Sequence, residues 1–394
     1  MLKALFRIFF LFFILIFSLG QLERIQIGAT QGMYLHDILL IAWCATALFQ
    51  SDFRQQLRSF FRQHSALELL FAGWILLGLA ISFWRGNAIA PSFLYLCRLT
   101  LYFLFGQVLI FSIKKNILKL SEVLFGLLYA GFLILLFGFL QYFFLPDTRF
   151  LFFLGWDDHL NRLISTLLDP GFTGIIFVLT FFLLHYAAEK FPIKFLAIVG
   201  KIALSIGILL TYSRASYLAY LCGLGLASIL FLRQKKVRAA LAPILFAVVF
   251  VVAIPFLPKT AGEGVQLARS STVNARTQII QQVVSQMQPL DWVFGRGIFV
   301  KFQAATTNTE VSATHSNVAD NWLVMTITGT GIVGTILALW LIVKIFLTRN
   351  HDTWFTIGVI VVLIHGLFDA SVIYPFVVLF LWGFWIVTEP SLRT

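Results

Sequence analysis

Residues 121–145 read SEVLFGLLYAGFLILLFGFLQYFFL, and no charged side chain follows Glu122 within this stretch. A helix needs about 20 consecutive, mainly apolar residues to cross the hydrocarbon core of a bilayer. The stretch therefore predicts a transmembrane helix. Similar stretches recur along the chain and predict about twelve such helices, at 4–20, 34–50, 66–84, 91–113, 121–145, 171–188, 194–213, 215–232, 239–257, 321–347, 354–369 and 372–388.

The composition of the whole chain agrees with this pattern. Of its 394 residues, 60% are hydrophobic and 12% are charged, whereas soluble domains carry roughly 25% charged residues. The chain lacks the polar surface of a water-soluble fold, and we predict an all-α, polytopic transmembrane helical bundle. The three cysteines, Cys44, Cys97 and Cys222, lie inside apolar stretches. This favours small buried hydrophobes over a disulfide framework or a zinc site.

The basic residues lie in the connections between apolar stretches and not on one folded face, although the net charge is +12. This distribution is typical of membrane topology signals and not of nucleic-acid binding. One side of the membrane collects most of the cations, namely Arg54, Arg58, Arg62, Lys114, Lys115, Lys119, Lys190, Lys194, Arg233, Lys235, Lys236 and Arg238. The positive-inside rule then predicts that both termini are cytoplasmic. We expect the first helix to be retained, because no A-x-A cleavage pattern follows it.

Two segments are predicted to lie outside the membrane on the side away from the cytoplasm, 146–170 and 258–320. The second is the long polar stretch of the sequence. It divides the chain into 1–257 with nine predicted helices, the loop 258–320, and 321–394 with three. Loops of this length are usually functional or disordered. We therefore expect the loop 258–320 to carry the chemistry.

Within this loop, residues 274–287 read NARTQIIQQVVSQM and are predicted to form an amphipathic helix. Asn274 is a suitable cap, and Pro289 is a suitable end. The apolar stripe at helical spacing comprises Ile279, Ile280, Val283, Val284 and Met287. This stripe is expected either on the membrane surface or against the helical bundle.

Two arginines occupy positions suited to an anion. Arg214, in LLTYSRASYLAY, lies at the turn between two predicted helices on the side that is poor in cations. It either reaches lipid headgroups or binds a phosphate through its planar fork of donors. Arg276 lies near the start of the amphipathic helix, where free backbone N–H groups favour anions. A solvated loop arginine is the commoner case for such a residue.

Arg98 lies about two turns inside a predicted helix. A charge at the bilayer centre costs roughly 2.5–3.5 kcal/mol on insertion scales, so Arg98 is expected to face the bundle or a wet cavity. Its candidate partners are Asp37 and Asp369. Arg162 and Asp169, in NRLISTLLDPGFTG, are weaker candidates for a site, since Asp169 also suits a turn that opens a helix.

His315 and Asp320, in SATHSNVADNWLVM, are candidate bases toward a sugar hydroxyl. Asp320 is equally suited to cap the next helix, and His315 to be an ordinary loop histidine. Gly295 and Gly297, in FGRGIF, predict a bend, because no strand precedes them as in a nucleotide-binding loop. The sequence has no Walker motif and no acidic cluster with metal-ligand spacing, so we expect no ATP and no metal cofactor.

Three of these motifs, taken in order, resemble the O-antigen ligase and O-antigen polymerase superfamily. They are LLTYSRASYLAY at 209–220, NARTQIIQQVVSQMQPLDWVFGRG at 274–297 and DNWLVMTITGTGIVG at 320–334. The upstream segments YLHDILL, CRLTLYFLF and NRLISTLLDPGFTG resemble the family less specifically. The diagnostic part extends from about Thr211 to Gly334.

The resemblance implies a glycosyltransferase of the bacterial inner membrane, similar in architecture to membrane glycosyltransferases of the C type. It would transfer a glycan from undecaprenyl pyrophosphate to a hydroxyl of a glycan or lipid-core acceptor at the periplasmic face, without a metal. Arg214 and Arg276 would hold the pyrophosphate, with Arg98 and Arg162 as further ligands. The family's histidine aligns by spacing with Asp320, while His315 lies earlier, so the identity of the base stays open between them.

Two other functions fit a polytopic membrane protein. A transporter or flippase of lipid-linked saccharides would use Arg98 as its intramembrane contact, but transporters more often have broken helices or two related halves, and neither is evident in the sequence. A scaffold leaves the arginines of the outer segments without a role. Asp320 in place of the family's histidine favours a polymerase over a ligase.

Overall fold

The computed structural model describes residues 2–26, 32–63, 66–87, 89–258, 260–298, 320–348 and 352–392. Helices dominate this part of the chain. In chain order they are α1 (Leu2–Ser18), α2 (Leu35–Leu48), α3 (Ser51–Gln63), α4 (Ala66–Trp84), α5 (Ala90–Lys114), α6 (Leu120–Phe144), α7 (Pro170–Lys190), α8 (Lys194–Leu210), α9 (Arg214–Arg233), α10 (Val237–Ala253), α11 (Ser271–Ser285), α12 (Pro289–Phe294), α13 (Trp322–Thr348), α14 (Thr353–Gly366) and α15 (Pro375–Thr388). Two short strands, β1 (Arg24–Gln26) and β2 (Gly32–Tyr34), pair with each other.

The predicted class, an all-α membrane protein, is confirmed. Every apolar stretch identified in the sequence coincides with one of these helices. Among the described residues, seven helical segments are long and apolar enough to cross a membrane: 67–84, 90–114, 120–144, 170–190, 214–233, 237–256 and 322–344. α2, α14 and α15 are apolar but shorter. The total of twelve crossings stays a prediction.

The chain forms two compact units, and each unit is built from segments that are distant in sequence. Unit 1 comprises Met1–Arg24, Asn116–Arg269 and His351–Thr394. Unit 2 comprises Ile25–Lys115 and Ser270–Asn350. The long polar loop that begins at residue 258 is therefore divided between the two units.

α7 is the central helix of unit 1. It packs against α6, α8, α9, α14 and α15, and most of its side chains are buried. Its approach to α9 is close: a Cβ added at Gly174 would lie 2.2 Å from Ser216 Oγ. At the N-terminus of α7, the Asp169 side chain accepts a hydrogen bond from the Phe172 N–H at 2.8 Å, as expected of a helix cap. The prediction that Asp169 opens a helix is confirmed.

α3 belongs to unit 2 and was not predicted from the sequence, where it reads as a basic connection. Phe53 and Leu57 are buried on one face, while Arg54 and Arg58 are exposed on the other. The Phe53 ring meets the ring of Phe111 in α5 edge-on, with centroids 5.4 Å apart. Packing against α5 thus stabilises a helix whose charge content alone favours a loop.

The amphipathic helix predicted at 274–287 is α11, but it begins earlier than predicted. Asn274 lies inside its first turn, where its N–H donates to the Ser270 carbonyl at 2.9 Å. The predicted cap at Asn274 is therefore wrong. Pro289 begins a new helix, α12, after the end of α11 at Ser285. The apolar stripe packs on α13, since Val283 and Met287 are buried together with the partly buried Ile279 and Ile327.

The predicted glycine bend between α12 and α13 is confirmed, with φ of 74° at Gly295 and 96° at Gly297. The N–H of Gly297 donates to the Gly329 carbonyl at 3.0 Å, and that of Arg296 to the Thr328 carbonyl at 2.8 Å. These bonds join the bend to α13, which is itself broken.

The break in α13 lies at Gly331, where φ is 70° and ψ is −179°. A Cβ at this position would lie 2.0 Å from the Val293 carbonyl oxygen of α12. Both the close approach and the backbone conformation require glycine. The apolar pattern runs through this glycine unchanged and predicts a continuous helix, so the break is a difference from the sequence prediction.

Arg98 lies in unit 2, and its partner is Asp37. Arg98 Nε donates to Asp37 Oδ2 at 2.9 Å, and its Nη2 donates to the Gly32 carbonyl at 2.9 Å. The guanidinium also lies over the Tyr34 ring at 4.9 Å. The other oxygen of Asp37 accepts from the Tyr102 hydroxyl at 2.8 Å. Of the two candidate partners, Asp369 belongs to unit 1.

Candidate functional site

Three connections of unit 1 meet beside the N-termini of α7 and α9. They are residues 145–169, 211–213 and 254–269. The hydrogen bonds that join them run from the Leu163 N–H to the Leu210 carbonyl (2.9 Å), from Asn161 Nδ2 to the Ala261 carbonyl (2.8 Å) and from the Tyr212 hydroxyl to the Pro258 carbonyl (2.8 Å). The candidate site is built from side chains on these three connections.

Arg162 is the most deeply buried cation of the site, with 8% of the residue exposed. Its Nε donates to the Thr211 carbonyl at 3.0 Å, and its Nη2 donates to the Tyr212 carbonyl at 3.4 Å. Gly264 packs against the aliphatic part of the Arg162 side chain, since a Cβ added at Gly264 would lie 2.7 Å from Arg162 Cδ. Burial lowers the pKa of Arg162 to about 10, and the charge of Arg269 acts in the same direction. At neutral pH the side chain stays charged.

Arg214 is the first residue of α9. Ser213 before it caps the helix, since its Oγ accepts the Ser216 N–H at 3.3 Å. Arg214 Nη1 donates to the carbonyl oxygens of Arg269 at 2.9 Å and Leu267 at 3.3 Å. The guanidinium thus connects the helical hairpin formed by α8 and α9 to the segment after α10.

Arg269 is a third cation of the site and was missed in the sequence. Its Nη1 donates to the carbonyls of Gly264 and Gln266, the second at 3.0 Å. Its charge lowers the pKa of both Arg162 and His159, which indicates that it lies near them. Its position in the same polar loop as Arg276 was the feature of the sequence that could have identified it.

The way these cations are held differs from that in unit 2. Within the described residues, Arg162 and Arg214 donate to carbonyl oxygens and form no ion pair. In unit 2, by contrast, Arg85 pairs with Asp291 and Arg98 with Asp37. Neutral carbonyl groups orient a guanidinium without an ion pair, while the carboxylates of Asp169 and Asp157 act on the charge of Arg162 from nearby. The end of unit 1 is therefore suited to bind an anion such as a phosphate.

A second group of side chains adjoins the cations. Asp157, His159 and Asp169 each offer a ligand atom, and these atoms all lie within 4.8 Å of one another. Three ligands of one small cation can have this spacing, and so can three partners of one hydroxyl group. The sequence predicted no acidic cluster with metal-ligand spacing, but folding brings Asp157, His159 and Asp169 to such a spacing. Two acids and a histidine lie close together in WDDHLNR at 156–162, but Asp169 lies further along the same connection.

His159 is buried, with 7% of the residue exposed. Burial lowers the pKa of its imidazole to about 3, and the charges of Arg162 and Arg269 add to this effect. The ring is therefore neutral at physiological pH. Its Nε2 is buried and has no hydrogen-bond partner among the described residues. Removal of the Asp169 carboxyl from water raises its pKa, and the neighbouring Asp157 acts in the same direction.

A buried chain of hydrogen-bonded side chains begins at Ser213 and Ser216, next to Arg214. Ser216 Oγ lies 2.9 Å from Ser213 Oγ and 3.1 Å from His365 Nε2. His365 Nδ1 lies 3.0 Å from Ser371 Oγ, and no part of His365 is exposed. This chain supports the turn that presents Arg214. His365 lies within an apolar stretch, so nothing in the sequence indicated this chain of hydrogen bonds.

The other predicted site residues belong to unit 2 or lie outside the described residues. Arg276 is half-buried on α11, and Asp320 is half-buried before α13. The side chain that caps α13 is Asn321, whose Oδ1 accepts the N–H of Leu323 at 2.9 Å. His315 lies outside the described residues. The structure thus brings Arg162 and Arg214 together in unit 1, and the convergence of Arg276 and Arg98 with them stays a prediction.

The site can be compared with known families. A family model described as O-antigen ligase matches residues 199–339, which include the hairpin with Arg214 and the segment with Arg269. This part of the chain is similar to O-antigen ligases. The match supports membership of the O-antigen ligase and polymerase superfamily. A search among curated proteins finds no match.

The matched segment contains most of the residues proposed from the sequence. Arg214, Arg276, His315 and Asp320 lie inside the matched segment, whereas Arg162 lies before it. The matched segment includes parts of both units, and within unit 1 it includes the turn that carries Arg214. The match covers the hairpin, and the contacts at Thr211 and Tyr212 connect Arg162 to it.

Proposed function

We propose that this protein transfers a glycan from undecaprenyl pyrophosphate to a hydroxyl group of an acceptor, as an O-antigen ligase or a polymerase. The observation that carries the proposal is the pair Arg162 and Arg214, which hydrogen-bond to carbonyl oxygens and form no ion pair within the described residues. The family match supports an enzyme of the ligase or polymerase type.

The chemistry of the transfer fits such a site. The bond that breaks joins the anomeric carbon of the sugar to a pyrophosphate oxygen, which leaves with the electron pair. Cations fixed beside the leaving group stabilise the charge that develops in the transition state. Because a pyrophosphate is already a good leaving group, the transfer requires neither ATP nor a metal. We propose that it uses neither.

Arg276 and Arg98 are proposed as further contacts of the lipid-linked donor. Arg276 lies within the first turns of α11, where the positive end of the helix dipole favours an anion. Arg98 is already paired with Asp37, so it would contribute less uncompensated charge than Arg214. His315 or Asp320 is proposed to position the acceptor, and Asn321 as the cap of α13 leaves the capping role of Asp320 unsupported.

The proposed orientation follows from the distribution of basic residues. Both termini would lie in the cytoplasm, and the end of unit 1 with Arg162 and Arg214 would face the periplasm. The proposed location is the inner membrane of a bacterium. The donor would then reach the site from the outer leaflet of that membrane, and the acceptor from the periplasm.

A flippase for lipid-linked saccharides is the second candidate, and the broken helix α13 favours it. Transporters often bind substrate where a helix is interrupted. In this protein, however, the backbone around the break is bonded to protein, since the N–H groups of Arg296 and Gly297 donate to it. Carbonyl groups that already accept these hydrogen bonds are less suited to coordinate a substrate. We therefore favour the transferase.

The test of the proposal is reconstitution in liposomes with an undecaprenyl-pyrophosphate-linked oligosaccharide. Longer lipid-linked chains would identify a polymerase, and transfer to a lipid core would identify a ligase. Arg214→Ala should lower the transfer rate about 100-fold to 1,000-fold, as the loss of one transition-state donor does elsewhere. Arg214→Lys should recover part of the rate, since it restores the charge but not the fork.

Arg149→Ala is the matched control. Arg149 lies in the same connection as Arg162, but it is exposed and pairs with the exposed Asp147. Its replacement should leave transfer unchanged. Transfer by Arg214→Ala at the rate of wild type would remove this arginine from the pyrophosphate site. Movement of the intact lipid-linked oligosaccharide across the bilayer without transfer would favour the flippase.

A further inference from the structure

The cluster of Asp157, His159 and Asp169 is the feature of unit 1 to which the proposed transfer gives no role. Asp169 is fixed by the N-terminus of α7, where its Oδ1 accepts the Phe172 N–H at 2.8 Å. His159 is fixed through its backbone, since its carbonyl accepts from the N–H and the hydroxyl of Thr148, at 2.9 and 2.8 Å. The cluster is thus a built arrangement and not a chance meeting of surface side chains.

The buried imidazole indicates that the cluster has a ligand. His159 Nε2 is shielded from solvent and has no hydrogen-bond partner among the residues described. Buried polar atoms in native proteins nearly always have such a partner. The ligand atoms of Asp157 and Asp169 lie within 4.8 Å of a ring nitrogen of His159. A bound group at this point would satisfy the ring.

The charges around the cluster select the kind of ligand. Carboxylates accept hydrogen bonds only, and a neutral imidazole offers one acceptor and one donor nitrogen. A hydroxyl group, with one hydrogen to donate and lone pairs to accept, matches this set. A divalent cation would also suit the ligand atoms, but the guanidinium groups of Arg162 and Arg269 act on His159 and would repel it. A hydroxyl is the better match.

We propose that Asp157, His159 and Asp169 bind the acceptor hydroxyl, and that the Asp169 carboxylate removes its proton. The inference rests on the proposed transfer, since it assigns the acceptor side of that same site. Arg162 links the two sides: its charge acts on both His159 and Asp169, while its donors are directed at the hairpin that presents Arg214.

The step balances without any further reactant. The acceptor oxygen forms a bond to the anomeric carbon, and the bond from that carbon to the pyrophosphate oxygen breaks. The hydroxyl proton passes to Asp169, and the polyprenyl pyrophosphate leaves with the bonding electrons. Asp157 is exposed, so the proton can then reach solvent through it. The surroundings of Asp169, which raise its pKa above that of an ordinary aspartate, strengthen it as a base.

Asp169→Asn is the variant that separates chemistry from structure. Asparagine caps a helix as well as aspartate does, so α7 should keep its N-terminus while the base is lost. We expect transfer to slow by about 100-fold or more, the usual contribution of a general base. The affinity for the undecaprenyl-pyrophosphate oligosaccharide and the unfolding temperature should stay those of wild type. Asp158→Asn is the matched control, since Asp158 is an exposed neighbour outside the cluster.

A second variant keeps the proposal testable if Asp169→Asn fails to fold. His159→Gln removes the ring that contacts the acceptor and should raise the KM for the acceptor about tenfold, the factor that corresponds to 1.4 kcal/mol of binding, with the donor affinity unchanged. An unchanged acceptor KM would overturn the inference.

The remaining outcomes separate this inference from the function on which it rests. Failure of folded wild-type protein to transfer glycan would remove the proposed function itself. Normal transfer by wild type together with transfer by Asp169→Asn within about threefold of it would overturn only the inference. Loss of wild-type transfer in EDTA, restored by Mn²⁺ or Mg²⁺, would assign the cluster to a cation and overturn it as well.

Discussion

The ion pair between Arg98 and Asp37 allows a stability prediction worked from the structure. Asp37 accepts hydrogen bonds from Arg98 Nε at 2.9 Å and from the Tyr102 hydroxyl at 2.8 Å. Its side chain is 6% exposed and that of Arg98 is 19% exposed. Asp37→Ala removes the anion and leaves the guanidinium inside the bundle without a carboxylate.

The expected cost follows from two independent scales. Removal of one partner from a buried pair destabilises proteins by about 3–5 kcal/mol. An unpaired charge at the centre of a membrane helix costs roughly 2.5–3.5 kcal/mol on insertion scales. The two ranges overlap, so we expect Asp37→Ala to lower the free energy of unfolding by about 3 kcal/mol.

The assay is reversible unfolding in mixed micelles of SDS and a mild detergent, followed by circular dichroism. Asp52→Ala is the control, because Asp52 pairs with Lys115 in the same unit while both side chains are about half exposed. Exposed ion pairs contribute little to stability, so this control should unfold nearly as wild type does. Asp37→Leu combined with Arg98→Met should be less harmful than Asp37→Ala, since no unpaired charge remains. Equal stability of Asp37→Ala and Asp52→Ala would refute the reasoning.

Two further predictions concern the broken helix and the pH dependence of transfer. Gly331→Ala should destabilise unit 2, because the new Cβ would lie 2.0 Å from the Val293 carbonyl oxygen at a φ of 70°. Gly73→Ala is the control and should not destabilise it, since a Cβ at Gly73 has no atom within 4 Å. Equal unfolding temperatures of the two variants would contradict the account of the break. If Asp169 is the base, transfer should fall as the pH drops through its pKa, which lies above that of an ordinary aspartate. In a pH–rate profile, Asp157→Asn should move this acidic limb to lower pH, because it removes a negative charge that raises the pKa; an unmoved limb would exclude Asp169 as the titrating group.

The candidate site could be predicted only in part. Arg214 was identified because a cation at a short turn on the cation-poor side breaks the topological pattern. Arg269 and His159 were missed, because the polar segments that contain them do not show which distant residues they meet in the fold. The wrong cap at Asn274 has a similar cause: Ser270 and Ser271 begin the helix earlier, and several adjacent residues have side chains that can cap.

The sequence by itself determined the class of the protein, the place of its apolar helices and the arginine hairpin, because hydrophobicity and its periodicity are local properties of the chain. The tertiary structure alone decided which polar groups meet. It paired Arg98 with Asp37 and not with Asp369, left Arg162 and Arg214 bonded to carbonyl oxygens, and brought Asp169 to His159 across a turn. These choices depend on which helices pack together, and apolar helices of similar length and composition carry too little information to specify their neighbours.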